Sequence, residues 1–261
     1  MIRLAAIDVD GTLLTSGHKV TPVTAAAIER VRGAGVEVAL TTSRPPRALW
    51  PILQALGLTE PVVFIASQGA LTGTYSARGR LRVLDRQPMP VGLAREIAAA
   101  ARAAGLSVSW FAVERWLVEE VDDLIRQEAA IVGCAPELAD LSVEPEGPDK
   151  ILLLAHAADI AHAVPVPAGL VALASTPTHL EVTRADVDKA RALGLVCTRL
   201  GVAAEEVVAI GDGRNDLGML AFAGVAVAPA NAHPEVLAAA DLITGSNDED
   251  GVAQALAQLV P

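Results

Sequence analysis

The sequence predicts an α/β protein: a parallel-sheet core drawn from both ends of the chain, with a second, α+β domain inserted in the middle. Three observations predict it. Strand and helix signals alternate at short intervals from Arg3 to Ala66. That alternation breaks from about Leu81 to Arg184 and then resumes. On both sides of the break the strand signals end in polar residues, and open parallel sheets bind ligands beyond the carboxyl ends of their strands.

The elements follow in order. Arg3–Val9 is an unbroken apolar run, a strand buried on both faces. Residues 22–34 predict a helix with Thr21 as N-cap, Pro22 at its first position and Gly35 as its stop. Strands at 36–40 and 62–66 bracket a helix at 45–56 that ends at Gly57. In the middle segment, residues 91–104 and 121–132 predict helices, and 107–113 with 116–118 an antiparallel pair turning near Glu114–Arg115. Residues 150–155, 170–174 and 179–183 predict further strands. After the break come a helix at 186–200, a strand at 207–210, a helix at 217–223 and a short strand at 225–228. A helix at 234–239, a strand at 241–243 and a helix at 251–259 complete the chain.

Composition narrows the function. The chain has 261 residues, enough for one large or two medium domains with a sizeable core. That core is aliphatic, because aromatics are only 3% of the residues. A formal charge of -11 repels nucleic acid and anionic membrane, so neither is an expected partner. The only lysines are Lys19, Lys150 and Lys189, which makes each worth attention in a chain whose positive charge is otherwise arginine. Cys134 and Cys197 stand far apart in no metal-like spacing, and read as reduced interior residues of a cytoplasmic protein. An aspartate at position 8 comes too early for a signal peptide. The apolar stretch 151–175 is broken by His156, Asp159, His162, Pro165 and Pro167, so it predicts no membrane span.

The chemistry collects at four strand ends. The first strand ends in Asp8 and Asp10, the second in Thr41-Thr42-Ser43-Arg44, the third in Ser67-Gln68-Gly69-Ala70. The strand after the insertion ends in Gly211-Asp212-Gly213-Arg214-Asn215-Asp216. One Asp-Gly pair after a strand is an ordinary turn signal. Four strand ends with four aspartates on one edge need a cation, and oxygen-only ligands select a hard one. Mg²⁺ held by Asp8, Asp10 and Asp212 is the expected metal. A calcium-binding loop fails on spacing from either Asp8 or Asp212, since Lys19 and Ala223 stand where its twelfth-position Glu belongs. The run from Gly11 to Lys19 misses the phosphate-loop spacing by one residue, and Asp216 stands where a dinucleotide fingerprint needs its third glycine. None of the five histidines has a catalytic spacing; His179 alone merits watching. Trp110, Phe111 and Trp116 read as packing.

The motifs Asp8–Leu14 (DVDGTLL), Thr41–Arg44 (TTSR), Asp188-Lys189 and Gly211–Asp216 (GDGRND) resemble, in order and spacing, those of the haloacid dehalogenase superfamily, in its Cof-type branch (subfamily IIB). The resemblance runs nearly end to end. It implies a Rossmann-like core over residues 1–84 and 184–261, and an inserted α+β cap over 85–183 that governs substrate choice. It further implies a Mg²⁺-dependent phosphatase acting on a small phosphorylated metabolite, foremost a sugar phosphate or glycosyl phosphate, as monomer or homodimer. Asp8 would be the nucleophile that forms an aspartyl-phosphate, and Asp10 the general acid and base, its main-chain carbonyl also on the metal. Thr42 would bind a phosphoryl oxygen, Lys189 would neutralise charge, and Asp212 would ligate Mg²⁺. Asn215 and Asp216 would support them, with Thr42, Ser43, Arg44, Gln68 and Gly69 facing substrate. A phosphomutase using the same intermediate and a non-catalytic module that merely accepts phosphate are the alternatives; a dehalogenase has no use for Asp10 as a proton donor. Three departures stand out. Ser43 replaces the family's glycine, Gln68 its asparagine, and Ala190 the glycine after the lysine. The first two bear on turn geometry and substrate entry.

Overall fold

The structure is a computed structural model, and it describes residues 1–57, 61–156 and 160–260. It divides into two compact units. The first comprises Met1–Ser43, Leu49–Leu84 and the chain from Asp188 onward; the second comprises Arg44–Ala48 and Asp85–Val187.

The chain opens with β1 (Leu4–Asp8), α1 (Pro22–Gly33), β2 (Glu37–Thr41), α2 (Pro46–Ala55) and β3 (Val62–Ala66). β4 (Leu71–Tyr75) and β5 (Leu81–Arg86) follow. Next come α3 (Val91–Ala103), β6 (Ser107–Ala112), β7 (Arg115–Val118), α4 (Asp123–Val132), the two-residue β8 (Glu137–Leu138), β9 (Lys150–Leu154), β10 (Leu170–Thr176) and β11 (His179–Arg184). The chain closes with α5 (Lys189–Leu200), β12 (Val207–Ile210), α6 (Leu217–Phe222), β13 (Val225–Pro229), α7 (Pro234–Ala239), β14 (Leu242–Thr244) and α8 (Gly251–Leu259).

Eight strands form the core sheet in the order β14-β13-β12-β1-β2-β3-β4-β5. β1 is fully buried, as its apolar run requires, and pairs in parallel with β2 on one side and β12 on the other. From β1 the chain winds outward through β2 and β3; after the insertion it winds the other way through β12, β13 and β14. The direction of winding therefore reverses between β1 and β12. In open α/β sheets that reversal leaves a crevice at the carboxyl ends of the two strands, where ligands bind. Asp8 ends β1, and Asp212 lies two residues beyond β12.

The sheet is wider than the sequence suggests. β4 pairs antiparallel with β3 and β5 extends the edge, so the parallel core carries two strands beyond the last βαβ unit. The Leu-Thr-Gly-Thr-Tyr stretch of β4 escapes a strand reading because it is short and holds a central glycine. That glycine has a packing reason: a Cβ at Gly73 would meet the Phe64 ring and the Arg82 carbonyl.

The second unit has its own six-stranded sheet, in the order β10-β11-β9-β6-β7-β8. α3 covers one face, where Trp110, Ile151, Leu153, Leu180 and Val182 are buried. On the other face Phe111, Trp116, Val118, Leu152 and Leu154 pack with Ile125 and Val132 of α4. The three aromatics expected to be packing are buried. The β6–β7 turn falls at Val113-Glu114, one residue before its expected place. Val113 takes a left-handed φ of 55°, which a β-branched residue adopts only under constraint. Its N–H donates to Asp149 Oδ2 at 2.7 Å, and Asp149 Oδ1 accepts from Arg86 Nε at 2.6 Å. Burial pushes the Asp149 carboxyl above its ordinary value, against the pull of Arg86.

Asp149 is thus a buried anion held by one guanidinium and one backbone donor. Removing the cation leaves the charge uncompensated, which costs about 3–5 kcal/mol in comparable sites. Arg86→Met is expected to lower stability by about that much in urea unfolding; a change below about 1 kcal/mol would mean that the pair does not hold the turn.

Candidate active site

The loop after β1 is built to bring carboxylates together. Leu13 N–H donates to the Asp8 carbonyl at 3.1 Å and Leu14 N–H to that of Val9 at 2.9 Å, closing a tight turn. Gly11 turns the loop with φ +77°, and a Cβ there would fall on the Asp212 carboxylate. Only glycine meets both demands. Thr12 Oγ1 donates to Asp212 Oδ1 at 2.8 Å. Asn231 Nδ2 donates to the Gly11 carbonyl at 2.8 Å, and Asn247 Nδ2 to that of Leu14 at 2.9 Å. Loops after β1, β13 and β14 are thereby fastened together.

Lys189 enters at the first turn of α5. Asp188 is its N-cap, accepting from Arg191 N–H at 2.7 Å, and Gly69 comes so close that a Cβ would strike the Asp188 carbonyl. Lys189 is 1% exposed, and its Nζ lies 2.5 Å from Asp8 Oδ1 and 2.6 Å from Asp216 Oδ1. Burial pulls the ammonium's pKa down, but Asp216 and Asp8 more than reverse this, so it stands above the ordinary lysine value. Asp8 moves well above the usual carboxylate range because burial disfavours its charge; Asp216 and Asp212 add to the effect and Lys189 opposes it. Burial raises Asp212 too, with Thr12 pulling the other way.

One carboxylate oxygen from each of Asp8, Asp212 and Asp216 lies within 4.8 Å of the other two, and such a group could hold a divalent cation. The three acids do not have equal freedom. Asp216 Oδ1 is taken by Lys189, while its Oδ2 accepts the N–H groups of Asp212 at 3.1 Å and Gly213 at 2.9 Å. Asp216 therefore shapes the loop, whereas Asp8 and Asp212 retain oxygens for an ion. Gly211 permits this packing, since a Cβ would collide with the Asp216 side chain. The Asp10 carboxylate does not belong to the three-acid group; a short bridge to Leu14 holds the Asp10 backbone.

The remaining expected residues fall as follows. Thr42 is buried beyond the end of β2, its N–H donating to the Ile65 carbonyl and its carbonyl accepting from Gln68 N–H. Ser43 keeps an ordinary negative φ, so serine strains nothing where the family carries glycine. Strain instead falls at Ser67 and Gln68, both left-handed, with φ of 51° and 61°. Gln68 Oε1 accepts from Asn215 Nδ2 at 3.1 Å, so the longer amide is tied to the GDGRND loop. Arg44 belongs to the second unit, where it donates to the Ile131 carbonyl at 3.3 Å. Sequence reasoning missed Asn231 and Asn247. Both stand in polar turns after short strands, where asparagine is commonplace and gives no signal. Thr12 lies inside a recognised motif, yet its bond to Asp212 spans 200 positions.

Comparison with known proteins identifies the family. The profile of the haloacid dehalogenase-like hydrolases matches residues 5–256. The Bacillus subtilis (strain 168) protein YxeH is 31% identical over 277 residues, which cover 100% of this chain and 99% of that one. Pyridoxal phosphate phosphatase YbhA of Escherichia coli (strain K12) is 29% identical over 267 residues, with 97% and 96% covered. A haloacid dehalogenase-like hydrolase from Bacteroides thetaiotaomicron superposes with a TM-score of 0.88 at 26% identity, covering 99% of this chain and 100% of that one. The fold and the acid-lysine cluster define a hydrolase of the phosphatase class. The chain belongs to the haloacid dehalogenase-like hydrolase family, in its Cof-type branch.

Lys189→Met would leave Asp8 and Asp216 buried without their common cation, and is expected to destabilise the metal-free protein by about 3–5 kcal/mol. Chemical denaturation in the presence of a chelator measures this. Wild-type stability in the variant would show that the ammonium does not hold the acids together.

Proposed function

We propose that the chain is a Mg²⁺-dependent phosphatase that hydrolyses a small phosphorylated metabolite, foremost a sugar phosphate or glycosyl phosphate, through an aspartyl-phosphate on Asp8. The observation that carries this reading is the Lys189 ammonium between Asp8 and Asp216, with Asp212 in the same group of acids. The relative YbhA, named for pyridoxal phosphate, supports a small phosphate ester as substrate class.

Asp8, Asp212 and the main-chain carbonyl of Asp10 would hold the ion; the all-oxygen donors suit a hard cation. Mg²⁺ would supply positive charge to the phosphoryl oxygens and to the Asp8 carboxylate. The protein's own groups do the rest. Lys189 favours the ionised form of Asp8, which burial alone resists. The Asp8 carboxylate attacks phosphorus in line as the bond to the leaving alcohol breaks, and Asp10 gives that alcohol its proton. Asp10 then takes a proton from the water that attacks the aspartyl-phosphate, releasing inorganic phosphate and restoring Asp8. Thr42, buried beyond the end of β2, hydrogen-bonds a phosphoryl oxygen.

The test is release of free phosphate from p-nitrophenyl phosphate and a panel of phosphorylated metabolites, with Mg²⁺ and with chelator. Turnover is expected only with the ion. Asp8→Asn is expected to lower it by about a thousandfold or more while the circular dichroism spectrum is retained. Full activity in that variant refutes the aspartyl-phosphate route. Transfer of phosphate within the substrate without release would identify a mutase instead.

A further inference from the structure

The chain carries 31 acidic residues against 20 basic ones, yet residues 76–84 hold three arginines, Arg78, Arg80 and Arg82, and no acid. This stretch is the β4–β5 turn and the first part of β5, the outermost strand of the core sheet, and it lies wholly within the first unit. Arg86, Arg115, Arg184 and Arg214 each pair with a carboxylate. Among the described residues the guanidinium groups of Arg78, Arg80 and Arg82 have no such partner and no hydrogen-bond acceptor. One exposed arginine without a partner is ordinary; here two of them border a cavity.

Arg80 and Arg82 line a cavity of about 530 Å³, the size of a small-molecule site. Thr74 and Ser76 add hydroxyl groups, and Pro61, Leu81 and Leu84 give an apolar wall. Among the described residues no carboxylate lines it. Strand pairing accounts for its place. Val63 pairs with Thr74, so Pro61 and Thr74 lie on the sheet face of Val63 and Ile65. Nearer the centre of the sheet that face is covered, for Val63 and Ile65 pack with Ala192, Leu193 and Val196 of α5. At the border Arg199 of α5 donates to the Leu84 carbonyl at 2.7 Å.

The donors stand on a fixed frame. Gly79 N–H donates to the Ser76 carbonyl at 2.8 Å, and Arg80 N–H to Ser76 Oγ at 3.1 Å. Gly79 lies against the Trp50 ring, where a Cβ would collide, and Trp50 contacts the Tyr75 ring at 5.5 Å between centres. Ser76 Oγ accepts from Arg80 and keeps its own proton to donate. Two guanidinium forks with two hydroxyl donors suit a phosphate group, whose oxygens accept several charged hydrogen bonds. Inorganic phosphate alone would leave the apolar wall bare. Position separates this cavity from the acid cluster. β3 runs parallel to β2 and β1, so Pro61, just before β3, stands at the amino edge of the sheet, opposite the edge that carries Asp8. The five residues of β3 between those edges span about 16 Å.

We propose that Arg80 and Arg82, with Thr74 and Ser76, form a second, non-catalytic binding site for a small organic phosphate. The phosphoryl group sits on the arginines and the carbon part against Leu81 and Leu84. The site stands whether or not the chain hydrolyses esters.

Isothermal titration calorimetry of the whole chain with phenylphosphonate, in the presence of chelator, tests this. The probe carries a phosphate-like anion on an apolar ring and has no ester to hydrolyse. Saturable binding is expected in the wild type, weaker by about tenfold or more in Arg80→Met and in Arg82→Met, the scale of a lost charged hydrogen bond. Both arginines are exposed, so both variants are expected to fold, which circular dichroism melts check. Inorganic phosphate is expected to bind more weakly than the probe. In NMR the amide signals of residues 74–84 are expected to shift as the probe binds. No saturable binding, undiminished binding in the arginine variants, inorganic phosphate binding as tightly as the probe, or shifts confined to residues 8–14 and 211–216 overturns the proposal.

Discussion

A single ammonium group, closed off from water, holds the charges of the first unit's acid cluster in place. Three aspartates at the mouth of one crevice repel one another, and burial sharpens that repulsion. Lys189 offsets two of them directly. Its position depends on backbone features that carry no charge. These are the Asp188 cap, the start of α5 and the close approach of Gly69. The charge balance around Asp8 therefore rests on where a helix begins 181 positions further along the chain.

The three acids illustrate how identical side chains acquire different work. Asp216 spends both oxygens inside the protein, on Lys189 and on two backbone donors. Asp212 gives one oxygen to Thr12 and also meets the Asp8 carboxyl. Asp8 ends a buried strand, where burial alone would favour its neutral form. Geometry divides the roles; composition does not. The left-handed pair Ser67-Gln68 adds a strained corner to the same rim, and its amide to Asn215 braces the loop that carries Asp212.

How far the sequence could be read depended on how local each signal was. Strands such as β1 and β12 were plain because both faces are buried and the apolar run is unbroken. The site aspartates were plain because they follow those strands at once. β4 and β5 were not, since β4 is short and glycine-centred, and much of β5 is only half-buried. The Val113 turn was displaced by one residue because Asp149, remote in sequence and itself held by Arg86, accepts from its N–H. Asn231 and Asn247 were invisible for a similar reason: their partners lie more than 200 positions away. The serine at position 43 and the glutamine at 68 read as departures with open consequences. The first leaves the backbone unstrained, and the second found a partner in Asn215.

The place of β1 between β2 and β12 has a consequence during synthesis. When residues 1–43 have left the ribosome, β1 can pair on one side only. Its other edge stays open until residues 207–210 arrive, after the whole insertion has been made. The middle unit, by contrast, is complete by Val187. Nascent chains therefore pass through a stage in which the inserted part can be finished while the strand that ends in Asp8 is still exposed along one side, and every truncation short of that point leaves a sticky edge without an assembled acid cluster.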